Sequence, residues 1–147
     1  MISSRITRRY AQALLELAEE HRQLDRAVED MELLQRTAKE SKDFVVFLKS
    51  PVVRKEKKKE VLKELFAKKV NALSMDFLML LCEKGREEIL PQMIEQFFML
   101  RDEALGIVGV DVKVATELSK EQSDRIQQQF EGLTKKKVRV AFSLDKL

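Results

Sequence analysis

Apolar side chains recur every three or four positions through the first two-thirds of the chain, and near residue 106 the interval shortens to two. The longer interval gathers side chains on one face of a helix, whereas an interval of two alternates them across a strand. The first predicted helix covers residues 4–20. Ile6, Tyr10, Ala13, Leu14 and Leu17 form its stripe, and Ala11, Leu15 and Ala18 widen it. One packed neighbour does not cover a stripe that wide, so the helix is either packed on two sides or turns one side to a partner. A second helix, 25–40, carries an inward set of Leu24, Ala27, Val28, Met31, Leu34 and Ala38. Residues 41–43 interrupt it. Phe44, Val45, Phe47 and Leu48 then make a short apolar piece that Pro51 closes. Periodicity alone leaves helix and strand open there, but a lone strand has no partner in this half, which favours a short helix.

Residues 54–69 read as a basic helix with Val61, Leu62, Leu65 and Phe66 as its core side. The next helix, 72–83, is apolar on two sides: Leu73, Phe77, Leu80 and Leu81 on one, and Met75, Leu78, Met79 and Cys82 on the other. Gly85 suits the position just past its end. A last long helix spans 89–105, with Pro91 tolerated in its first turn. Its apolar set is Ile89, Leu90, Met93, Ile94, Phe97, Phe98, Leu100, Ala104 and Leu105. Val108, Val110, Val112 and Val114 then alternate as a half-buried strand. Ser119 and Gln122 form a capping box that opens a helix to about residue 133, with Ile126, Phe130 and Leu133 on its apolar side. Val138, Val140 and Phe142 alternate as a second strand. The expected architecture is mainly α: a six-helix N-terminal bundle, residues 1–105, followed by a small, incomplete α+β strand-helix-strand segment, residues 106–147. Two strands and one helix make a marginal unit, so this segment is expected to need a further strand or a partner chain.

Composition changes this picture little. Charged residues are 36% of the 147, with both signs dense, and the formal net charge is only +3. That mild basicity permits an acidic partner without demanding nucleic acid. The densest basic stretch is residues 54–69, with eight Lys or Arg against three Glu. It makes a basic helical nucleic-acid-binding domain the alternative function, with Lys135 to Lys137 as a second basic run. Acidic residues are interspersed throughout, however, and no aromatic interleaves an exposed basic run as a stacking platform would. Arg5, Arg8 and Arg9 sit in the first turns of the first helix, where the helix dipole disfavours cations. They are either solvated or aimed at an external acidic group.

Catalytic chemistry has no foothold. The four glycines at 85, 106, 109 and 132 never cluster into a phosphate loop. Cys82 is the single cysteine and His21 the single histidine, which excludes an internal disulfide and the usual Cys or His metal clusters. Cys82 lies among Met and Leu, as a small buried hydrophobe does. Glu56, Glu60 and Glu64 share a helix face, but lysines surround them and they read as an ion-paired surface. No catalytic residue, cofactor or metal site is expected. No apolar run is long enough to span a membrane. Polar helical patterning after the basic N-terminus, with Glu16, Glu19 and Glu20 arriving early, argues against a secretory signal or an organellar presequence.

Several stretches in order carry a resemblance. Arg9-Tyr10-Ala11-Gln12-Ala13-Leu14 continues through Glu16-Leu17-Ala18, and Leu48-Lys49-Ser50-Pro51 stops before the basic helix. Phe77-Leu78-Met79-Leu80-Leu81 leads to Glu83-Lys84-Gly85-Arg86, the last long helix runs into Gly106-Ile107-Val108, and Leu118-Ser119 opens the C-terminal helix. Across essentially its whole length the chain resembles the delta subunit of the F-type ATP synthase, the oligomycin-sensitivity-conferring protein family.

The resemblance implies a non-catalytic stator subunit. Its helical bundle would grip N-terminal helices of the alpha subunits through the first and fifth helices, here Ile6, Tyr10, Ala11, Ala13, Met75, Leu78 and Met79. The segment from residue 107 onward would bind C-termini of the b subunits in the peripheral stalk. It implies no cofactor, no nucleic acid, and only indirect membrane association through the complex. The expected location is the cytoplasmic face of a bacterial inner or plasma membrane, or the stromal side of a thylakoid. Family members continue past the second strand with a Gly-Gly-containing strand and a terminal helix, so the C-terminal part is expected to be cut short at Asp145-Lys146-Leu147.

Overall fold

The computed structural model describes residues 4–134 and 137–144, with the side chains of 107–111 and 144 left aside. Among them are α1 (Ser4–Glu20), α2 (Leu24–Glu40), α3 (Lys42–Lys49), α4 (Lys55–Phe66), α5 (Ala72–Glu83) and α6 (Leu90–Ala104). These are followed by β1 (Ile107–Val114), α7 (Lys120–Thr134) and β2 (Lys137–Leu144), and a 3-10 turn, Glu87–Ile89, leads into α6. The chain divides into two compact units, Met1–Leu100 and Arg101–Leu147.

Polar side chains set the ends of the helices in the first unit. Ser41 closes α2 and opens α3, its hydroxyl accepting a hydrogen bond from the Phe44 N–H at 3.1 Å. This supplies one of the orphan donors of the new helix and fixes α3 as a separate element. At the far end of α5, the Arg86 N–H donates to Leu81 O at 2.7 Å and the Gly85 N–H to Cys82 O at 3.0 Å. That pair of bonds is a Schellman turn, and it places Gly85 at φ +66, where a Cβ would be strained.

The core joins all six helices of this unit: Ala11, Leu14 and Leu15 from α1, Met31 and Leu34 from α2, Phe44 and Leu48 from α3, Leu62 and Phe66 from α4, Phe77, Leu78 and Leu81 from α5, and Met93, Ile94 and Phe97 from α6. In α4 the expected core side is corrected. Leu65 is 44% exposed, and Lys58 is buried instead. The Lys58 Nζ donates to Glu87 Oε1 at 2.6 Å and to Leu48 O at 3.0 Å, tying α4 to the end of α3 and to the 3-10 turn. Asp30 is also buried. It accepts from the Asn71 N–H at 2.9 Å and the Ser74 Oγ at 2.7 Å, and Arg26 pairs with it at 3.3 Å. A carboxylate on α2 thus satisfies groups at the start of α5, where the helix dipole favours negative charge.

In the second unit β1 and β2 pair in parallel, with Val112 opposite Phe142 and Ile107 opposite Lys137. Parallel neighbours need a crossover, and α7 provides it. The capping box forms reciprocally: the Ser119 N–H donates to Gln122 Oε1 at 3.0 Å and the Gln122 N–H to Ser119 Oγ at 3.2 Å. Leu133, expected on the inward side of α7, is 80% exposed, and Leu105, expected in the last helix's apolar set, lies past the end of α6 and is exposed. What Val108 and Val110 face, and Lys135, Lys136 and Asp145-Lys146-Leu147, lie outside the described residues.

Candidate helix-binding groove between α1 and α5

On α1 the buried line is Thr7, Ala11, Leu14, Leu15 and Ala18. These are largely the residues that widened the stripe in the sequence. Ile6, Tyr10, Ala13 and Leu17 follow at helical spacing along one flank of that line. They form one wall of an open groove of about 420 Å³, whose other residues are Arg9, Phe77, Leu80 and Arg86. The Tyr10 and Phe77 rings meet edge to face at 6.3 Å between centroids and close the groove floor. Leu17 is 37% exposed and Leu80 41%, so apolar area is left open on both walls.

The residues read as partner contacts therefore separate into three groups. Ile6, Tyr10 and Ala13 line the groove. Ala11 and Leu78 are buried, at 0% and 2% exposure, inside the core. Met75 and Met79 are partly buried and pack against that core. On a helix turning about 100° per residue they fall on the flank of α5 away from Phe77 and Leu80. The sequence pattern had both apolar sides of α5 but no means of choosing between them, and the side holding Phe77 and Leu80 is the one that opens. Leu17, Arg9 and Arg86 complete the lining.

Several charges elsewhere in this unit are paired. Glu83 takes Lys55 at 3.4 Å and also pairs with Lys59, so part of the basic face of α4 is neutralised from α5. The hydrogen bond from Lys59, and then that from Lys55, holds the Glu83 carboxylate below its usual range. Lys57 faces Glu60 at 3.7 Å within α4. Burial pushes the Cys82 thiol up to about 11, and the neighbouring Glu87 charge adds to the effect. A thiol so protonated is a packing group. No described helix is long and apolar enough to cross a membrane.

An open apolar groove between two helices has the form that an amphipathic helix packs into. The family model described as "ATP synthase delta (OSCP) subunit" matches residues 6–147. The chain belongs to the ATP synthase delta (OSCP) subunit family. It is 43% identical over 145 residues to ATP synthase subunit delta of Chlorobium phaeobacteroides strain BS1, covering 99% of this chain and 81% of that protein. Against ATP synthase subunit delta of Chloroherpeton thalassium it is 38% identical over 141 residues, covering 96% of this chain and 77% of the relative. A chain of the mitochondrial ATP synthase hexamer of Toxoplasma gondii, solved by cryo-EM, superposes with a TM-score of 0.76 at 25% identity, covering 95% of this chain and 78% of that one. As an OSCP-family delta subunit, the protein is a non-catalytic stator component linking the F1 head to the peripheral stalk. It associates with a membrane peripherally, through the complex.

Proposed function

We propose that the groove between α1 and α5 receives an N-terminal helix of an alpha subunit, and that residues 106–147 contribute to contact with C-termini of the b subunits. On this reading residues 1–105 are the head-docking module. The observation that carries it is the groove: Ile6, Tyr10, Ala13 and Leu17 face Phe77 and Leu80 across an open channel on one side of a packed bundle. An amphipathic helix lays apolar side chains at three- and four-residue intervals into such a channel, and the association draws on the apolar area removed from water. Rotary catalysis puts torque on the head. A subunit resisting that torque needs apolar contact to hold and rim charges to set orientation.

Titration of the full chain with a synthetic peptide matching the alpha-subunit N-terminus, followed by NMR, tests the docking surface. Shifts are expected at Ile6, Tyr10, Ala13, Leu17, Phe77 and Leu80. Replacing Leu80 with Glu is expected to preserve the fold, since that side chain is 41% exposed, and to weaken binding by about 30-fold, the size of a central apolar contact. No binding by the wild type, or shifts confined to α4, would refute the assignment.

A further inference from the structure

The groove is apolar along its walls and positive at its edges. Of its eight lining residues two are arginines, Arg9 and Arg86, and none is acidic. Both arginines are exposed, and neither guanidinium has a hydrogen-bond or ion-pair partner among the described residues. The surface running on from Arg9 and Ala13 is lined by Arg5, Arg8, Gln12 and Glu16. Glu16, its one carboxylate, accepts a hydrogen bond from Gln12 Nε2 at 3.0 Å.

The charges on α1 meet no acidic residue within its first turn. Arg5 lies in that turn, where the dipole opposes it and no acidic residue offsets it, and Arg8 and Arg9 follow in the second turn. Arg86 is fixed by backbone alone: its N–H closes the Schellman turn on Leu81 O at 2.7 Å, so its side chain is not needed to make the turn. Two guanidinia thus stand on the lining of an apolar channel that holds no carboxylate to pair with them, Arg86 at the C-terminal end of α5 where the dipole favours a cation. Apolar walls with a cationic rim complement an amphipathic helix with carboxylates beside its apolar stripe.

Resting on the groove as the docking site for a helix, we propose that its occupant is an acidic amphipathic helix whose carboxylates pair with Arg9 and Arg86. These pairs select the occupant and set its orientation, while the apolar walls supply most of the affinity.

The test is calorimetric titration of the full chain with the alpha-subunit N-terminal peptide at low and at moderate salt. Arg9→Gln and Arg86→Gln should each weaken binding about threefold to fivefold, and Arg9→Glu and Arg86→Glu about tenfold or more, with a shallower salt dependence in every variant. A second peptide, its Asp and Glu replaced by Asn and Gln, should bind the wild type about tenfold to 25-fold less tightly than the native peptide and be indifferent to Arg→Gln at either site. A merely structural arginine would weaken both peptides alike. If the arginine variants bind the native peptide like the wild type at both salt concentrations while Leu80→Glu abolishes binding, the groove stands and the acidic occupant falls. If the wild type binds neither peptide, both readings fall.

Discussion

Lys58 offers the sharpest test of how the bundle is held together. Its Nζ is buried against Glu87 Oε1 at 2.6 Å and Leu48 O at 3.0 Å, with the side chain 4% exposed and that of Glu87 13%. Glu87→Ala removes the counter-charge and leaves an ammonium in the interior with a single carbonyl. Breaking a buried pair from one side costs about 3–5 kcal/mol, and the slight exposure of Glu87 puts the expected loss near the lower end, about 3 kcal/mol. A unit of this size has roughly 5–15 kcal/mol in total, so the loss is large. In thermal terms it corresponds to a fall of roughly 12–24 °C. The assay is urea unfolding followed by circular dichroism. Lys58→Met combined with Glu87→Leu should return to within about 1 kcal/mol of wild type, because an apolar pair of similar volume avoids the desolvation of two ions. The second carboxylate oxygen of Glu87 is buried without a partner, which makes that recovery easier. A Glu87→Ala loss below about 1 kcal/mol would refute the reasoning, since it would mean that water screens the pair and that it does not tie α4 to α3.

Two further outcomes follow from buried groups. Asp30→Ala should cost about 3 kcal/mol, because it strands the Asn71 N–H and the Ser74 hydroxyl and removes the ion-pair partner of Arg26; Asp30→Asn, keeping an acceptor, should cost visibly less in the same unfolding assay. Cys82 has its folded pKa raised from 9.0 to about 11, so the unfolded chain loses the thiol proton first. Its contribution is therefore complete below pH 9 and declines as pH rises towards 11, by on the order of 2 kcal/mol. Wild type should lose stability more steeply over that range than Cys82→Ala, and parallel curves would contradict the assignment.

Helix positions were legible because each element carries its own local signal. The 3.6 period of α1, the glycine after α5 and the Ser119–Gln122 box all act within a few residues of themselves. Facing was harder to read. Helix α5 is apolar nearly all round, and which side opens depends on where α1 packs, a relation between residues more than sixty apart. The stripe on α1 had both sets of residues but not their order: Ala11, Leu14, Leu15 and Ala18 go inside and Ile6, Tyr10, Ala13 and Leu17 border the groove, a choice set by which neighbours pack on α1 rather than by residue type. Lys58 and Asp30 were illegible for the same kind of reason. A lysine in a lysine-rich helix and an aspartate in a charged one look solvated until Glu87 and Ser74 come up against them. Arg86 stood beside Gly85 in the sequence without any sign that it would border the same channel as Arg9.

On the proposed reading the α1–α5 groove is where the stator grips the head. Its most direct test is the affinity of the full chain for purified F1 from the same synthase, measured for wild type and for Leu80→Glu with the fold checked by circular dichroism. The expected result is tight binding by wild type and a loss of about 30-fold or more for the folded variant. A folded Leu80→Glu chain that binds F1 as tightly as wild type would contradict it.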